Sequence, residues 1–157
     1  MSTAIESEPT FVDKFPDEAR VVRAAFLSAF FALFLGAIFG IVQTLHRTDV
    51  ARIIPSTDYY TVLTAHGVFM VISFTIFFLV GLFTWALTRS LDRPLLNIKI
   101  TWTWYGLMAA GMTLTGISIL AGFVDSIDMS ADVLYTFYAP LQAHPLFYAG
   151  LTVFIVG

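Results

Sequence analysis

His66 stands in the run LTAHGVFMVISFTIFF, residues 63–78, and no charged residue accompanies it there. An imidazole at hydrocarbon depth is costly and normally has an assigned partner. Neutral imidazole offers two chemistries: a hydrogen bond to a neighbouring helix, or a lone pair for a metal such as haem iron. On a helix, Phe69, Met70 and Ser73 follow His66 at i+3, i+4 and i+7 and are expected to share its face. That face is largely apolar and suits a flat hydrophobic ring better than a solvated ion, and Gly67 beside it removes bulk. Spacing alone leaves both readings open. The other histidines, His46 and His144, fall near the ends of apolar segments, where a solvated or capping role is expected.

The chain of 157 residues is 58% hydrophobic and only 12% charged, and its mean hydropathy is +0.83. Soluble domains carry about a quarter of charged residues, so these values identify an integral membrane protein. With no cysteine, disulfides, thiolate metal sites and cysteine nucleophiles are excluded. A net charge of −3 provides no basic surface, and no nucleic acid partner is expected. The partner that composition does imply is membrane lipid.

Three uncharged segments, Ala24 to Leu45, Tyr59 to Thr88 and Ile100 to Val124, each exceed the ~20 apolar residues that cross a bilayer. None alternates in polarity, so the backbone must satisfy itself as helix rather than barrel. A fourth uncharged stretch contains Pro140 and Pro145; a helix starting near Pro145 has only about 12 residues before Gly157. The expected fold is therefore all-α: a polytopic transmembrane helix bundle with three full spans and the start of a fourth. The chain is expected to be part of a longer one, ending inside that helix.

Residues 1–20 are polar, with two prolines, and read as an extramembrane leader rather than a folded unit. Lys14, Arg20, Arg23, Arg89, Arg93 and Lys99 lie on one side of the spans, against Arg47 and Arg52 on the other. The positive-inside rule then places the N-terminus in the cytoplasm of a multi-pass cell-membrane protein. His66 lies in the outer half, about 6–10 Å below the boundary at 1.5 Å per residue. Gly36 and Gly40 have the GxxxG spacing of close helix packing, and Gly106, Gly111, Thr113, Thr115, Gly116 and Ser118 suggest a second tight interface.

Two strings together, YYTVLTAHGVFM (59–70) and VLYTFYAPLQAHPLFYAG (133–150), resemble subunit I of haem–copper terminal oxidases, with the B-type branch the nearer match. The resemblance runs from about residue 24 to 157. It leaves 1–20 as the cytoplasmic leader and implies that 21–157 is the N-terminal part of the subunit I transmembrane domain, truncated in the fourth helix. His66 is then an axial ligand of a low-spin haem b, with Gly67, Phe69 and Met70 beside it. Tyr135 and Tyr138 belong to a segment lying over the cofactors on the outer side. Ala139 stands where the family often has the first of two prolines, which alters the turn there. Asp92 lies in the loop where another branch has a proton-entry aspartate, but between Arg89 and Arg93 it reads as a surface carboxylate.

The same resemblance implies a respiratory enzyme of cytochrome c oxidase type, carrying electrons through the low-spin haem to a haem–copper centre that reduces dioxygen to water, coupled to proton translocation. The high-spin haem, the copper ion and the second axial ligand belong to residues outside this chain, so the 157 residues alone are expected to be inactive. Implied partners are an oxidase subunit II with the donor-side copper centre and a small donor, cytochrome c or a blue-copper protein. Three alternatives stand beside it: a nitric oxide reductase of the same superfamily, a small cytochrome b with His66 and His144 as axial ligands, and a non-enzymatic helical protein in which His66 only packs.

Overall fold

The computed structural model describes residues 9–51, 53–124, 127, 130–133 and 142–157. Among these, a short helix α1 (Phe11–Lys14) precedes α2 (Pro16–Arg47). The second span follows as α3 (Tyr59–Gly67), a π-helical segment (Val68–Ser73) and α4 (Phe74–Leu91), and the third span is α5 (Ile98–Ala121). The last helix, α6, is Pro145–Val156. Three of these stretches, Pro16–Arg47, Tyr59–Leu91 and Ile98–Ala121, are long and apolar enough to cross a membrane.

Local chemistry explains the boundaries. Pro16 occupies the first turn of α2, where its missing N–H costs nothing, and Asp17 and Glu18 complement the positive end of the helix dipole. At the other end Arg47 lies in the last turn, where a cation is favoured. Asp92 ends α4 in the left-handed region at φ 52°, a conformation Asp tolerates better than most residues. Asn97 caps α5 by accepting the Lys99 N–H at 3.1 Å. Pro145 opens α6 as its sequence position suggested, and His144 caps it.

The leader is more ordered than its composition implied. Thr10 and Asp13 form a reciprocal capping box on α1. The Thr10 hydroxyl, then its backbone N–H, hold the Asp13 carboxyl below its ordinary range. Lys14 pairs with Asp92, and the Glu18 carboxylate accepts the Leu95 N–H at 2.9 Å while only 4% exposed. Residues 11–14 and 16–20, expected outside the fold, are thus helical and strapped across the loop between spans two and three. A buried carboxylate that meets a backbone donor in this way is satisfied rather than stranded.

Spans one and two pack along their length, and span three packs chiefly against α6. The α5–α6 contact is a backbone approach. A Cβ on Gly111 would lie 2.3 Å from the Phe154 nitrogen, and one on Gly150 would lie 2.6 Å from Thr115 Oγ1. Gly116 instead faces the Phe69 ring, and Gly106 faces open space, so the small residues of helix three serve separate purposes. Ser28 and Tyr105 join spans one and three by a 2.9 Å hydroxyl bond. Leu27, Phe31, Phe34 and Ile41 stay largely exposed on α2, as an apolar surface in hydrocarbon can.

Gly111→Ala is expected to destabilise the detergent-solubilised protein by about 1–3 kcal/mol, because backbone must move to admit one methyl group. Gly106→Ala is expected to be neutral or stabilising by up to ~1 kcal/mol, from helix propensity alone. Thermal unfolding of the two variants side by side checks both.

Candidate functional site

α3 carries His66 one residue before its end and turns the ring toward span one. Nδ1 lies 2.8 Å from the carbonyl oxygen of Gly36. A carbonyl can only accept, so Nδ1 carries a proton, and in the neutral ring Nε2 keeps its lone pair. The ring fits there because helix one has no side chain opposite: a Cβ on Gly40 would lie 2.8 Å from His66 Cε1 and 2.9 Å from Nδ1. One turn away, a Cβ on Gly36 would lie 2.9 Å from that of Met70. The Gly36–Gly40 pair is therefore a packing device, and what it packs is the His66 edge of span two.

Beside the ring lies an open groove of about 390 Å³, lined among others by Ala37, Gly40, Ile41, Gln43, His66 and Met70. The lining is mostly apolar. Among the described residues no cluster of three or more His, Asp or Glu side chains could hold a bare metal ion. A metal at His66 must therefore bring most of its own ligands, as the iron of a porphyrin does. The groove's composition and the free Nε2 fit such a group, and these residues provide one wall for it.

The π-helical segment divides the face that helical spacing assigned to His66. Phe74 N–H bonds to the Phe69 carbonyl, an i→i−5 step that widens the turn. Met70 remains in the groove with His66. Phe69 and Ser73 instead line a separate crevice of about 400 Å³ between spans one, two and three. The Phe69 ring stacks on Phe39 at 6.2 Å between centroids and touches Gly116. Ser73 is fully buried there, and its hydroxyl has no hydrogen-bond partner among the described residues. Gly67 is buried at the end of α3. The α-helical expectation of one shared face thus holds for Met70 and not for Phe69 and Ser73, because the π turn adds a residue between His66 and the rest of the span.

Tyr135 and Tyr138 lie outside the described residues, but the flanks of their segment are placed. Ala131 and Ala143 form an antiparallel bridge, with Asp132 N–H bonded to Gln142 O at 3.1 Å and His144 N–H to Ser130 O at 2.7 Å. Thr61 donates its hydroxyl to Asp132 Oδ1 at 2.6 Å, which pins these flanks to the first turn of α3, five residues before His66. His144 accepts the Leu146 N–H at Nδ1, 3.2 Å away, so its neutral ring keeps the proton on Nε2 and acts as a cap rather than a metal ligand. The arrangement gives no support to a cytochrome ligated by His66 and His144. His46 sits beside Tyr59, ring centroids 5.5 Å apart, in the last turn of span one.

Residues 20–157 match the family model described as cytochrome c and quinol oxidase polypeptide I. The chain is 34% identical to cytochrome c oxidase subunit 1 of Thermus thermophilus, over 82% of this chain and 23% of that protein. It also superposes, with a TM-score of 0.75 and 31% identity, on a heme-copper terminal oxidase dimer solved by cryo-electron microscopy, covering 90% of this chain and 23% of that one. The chain thus spans about a quarter of the length of each relative.

The π register has a direct check in Ser73. Its hydroxyl is buried without a partner among the described residues, so Ser73→Ala is expected to leave stability unchanged or raise it by ~1 kcal/mol, read by thermal unfolding. A loss of similar size would mean that the hydroxyl is bonded and the register is different.

Proposed function

Because the chain belongs to the cytochrome c and quinol oxidase polypeptide I family of haem–copper oxidases, we propose that His66 is an axial ligand of a low-spin haem, with the iron on Nε2. The observation that carries this is the 2.8 Å contact of Nδ1 with the Gly36 carbonyl. With Nδ1 donating to that carbonyl, the neutral ring has its lone pair on Nε2, the nitrogen that can ligate iron. When bound, the haem supplies one-electron transfer toward a haem–copper centre where dioxygen is reduced to water, coupled to proton translocation.

This chain's own residues then hold and orient. Met70 and Ala37 line the groove as apolar wall, Gly67 and Phe69 fill the packing behind it, and His66 donates the single bond to iron. The roles of Tyr135 and Tyr138, which lie outside the described residues, rest on the family resemblance of their segment. The second axial ligand, the high-spin haem and the copper come from other parts of the intact subunit, of which residues 21–157 form the N-terminal part. Haem b and the B-type branch are the assignments that the 59–70 and 133–150 strings favour. The lysine and arginine distribution supports a cytoplasmic N-terminus, with His66 in the outer half near the donor side. The partners are a subunit II carrying the donor-side copper and a small donor, cytochrome c or a blue-copper protein.

In the intact oxidase, His66→Ala is expected to abolish the low-spin haem signal in reduced-minus-oxidised spectra and to stop electron entry, with the high-spin haem spectrum retained. An unchanged low-spin signal would refute the ligand assignment. The 157-residue chain alone is expected to show no oxygen uptake at an oxygen electrode.

A further inference from the structure

We infer that helix one sets the reduction potential of the haem that His66 holds, through Gly36 and Gly40 acting as positioning residues. The inference rests on the reading of His66 as ligand and adds to it a cause for the strength of that ligand.

Three contacts place His66 against helix one. Gly36 supplies the carbonyl at 2.8 Å from Nδ1. Gly40 supplies the space, since a Cβ there would fall 2.8–2.9 Å from two ring atoms. Gly36 also sets the helix separation, because its own Cβ would meet the Cβ of Met70 at 2.9 Å and the Met70 nitrogen at 3.0 Å. Any side chain at either position forces the ring or the helix to move, and the Nδ1–H···O bond lengthens or breaks.

That bond bears on the iron. A proton shared from Nδ1 to a carbonyl leaves more electron density on Nε2, which makes the imidazole a better donor. A better donor favours the ferric state and lowers the potential. The surroundings strengthen the effect, since a hydrogen bond in a low-dielectric interior is electrostatically stronger than one in water. Removing it therefore weakens donation and raises the potential. Here the close approach of two helices, ordinarily only a packing feature, becomes an electronic one.

The test uses the intact oxidase carrying Gly40→Ala, titrated by redox potentiometry at the low-spin haem band. The expected result is a retained low-spin spectrum with the ferrous-to-ferric ratio at fixed potential raised about tenfold, equivalent to ~59 mV for one electron. A purely structural role predicts loss of bound haem or of stability with no shift in the haem that remains. A loaded Gly40→Ala enzyme with the parent midpoint overturns the inference. Should the variant fail to assemble, electron–nuclear double resonance of the axial imidazole in the parent enzyme decides: an exchangeable Nδ1 proton in a short hydrogen bond supports the inference, and its absence overturns it. His66→Ala separates the two levels. If it leaves the low-spin haem intact, the ligand reading itself has failed; if it removes that haem while Gly40→Ala leaves the midpoint unmoved, only the helix-one inference has failed.

Discussion

The approach of helix one to helix two governs the rest of this structure. A histidine in hydrocarbon must satisfy at least one ring nitrogen, and here the donor nitrogen finds the Gly36 carbonyl. That contact requires an absent side chain at Gly40 and draws Met70 against Gly36. The π-helical turn after Gly67 reconciles these demands with the third span. It sends Met70 toward helix one and its neighbour Phe69 toward Gly116 on helix three, so that adjacent residues of one span are each seated on a glycine of a different helix. Ser73, in the same turn, has no hydrogen-bond partner for its buried hydroxyl among the described residues.

The polarity of the ring follows from this geometry without reference to any cofactor. Once Nδ1 is committed as a donor, Nε2 is the only lone pair the side chain can offer. The ring that offers it lines a mostly apolar groove. By contrast, His144 commits its Nδ1 lone pair to the Leu146 N–H, which turns the same residue type into a helix cap. Two histidines of one chain thus play opposite roles through which ring nitrogen meets a backbone group, and whether that group is a carbonyl or an amide.

Much of this was legible in the residues. The three spans, the start of α6 at Pro145 and the oddity of His66 follow from hydropathy, from proline chemistry and from a polar group in an apolar run. The partner of His66 was not legible, because the Gly36–Gly40 spacing signals close packing without saying against what. The face shared by His66, Phe69 and Ser73 was misread because periodicity assumes an unbroken α-helix, and nothing in GVFMVIS announces a π turn. The leader misled for a different reason. Its prolines and acids have the composition of an unfolded tail, yet one acid, Glu18, meets a backbone donor 77 positions away in sequence. Long-range pairing of that kind leaves no local trace.

That same pairing has a consequence for the order in which the protein takes shape during synthesis. Glu18 and Lys14 leave the ribosome long before Asp92 and Leu95 exist. Until the loop after α4 is made, the Glu18 carboxylate has no backbone amide to enter and stays hydrated at the membrane face. Spans one and two must then insert as a hairpin held by their own contacts, the Gly36–His66 bond among them. Only the arrival of residue 95 lets the strap close and the carboxylate leave water. The strap is thereby a latch that can shut only on a pair of helices already side by side.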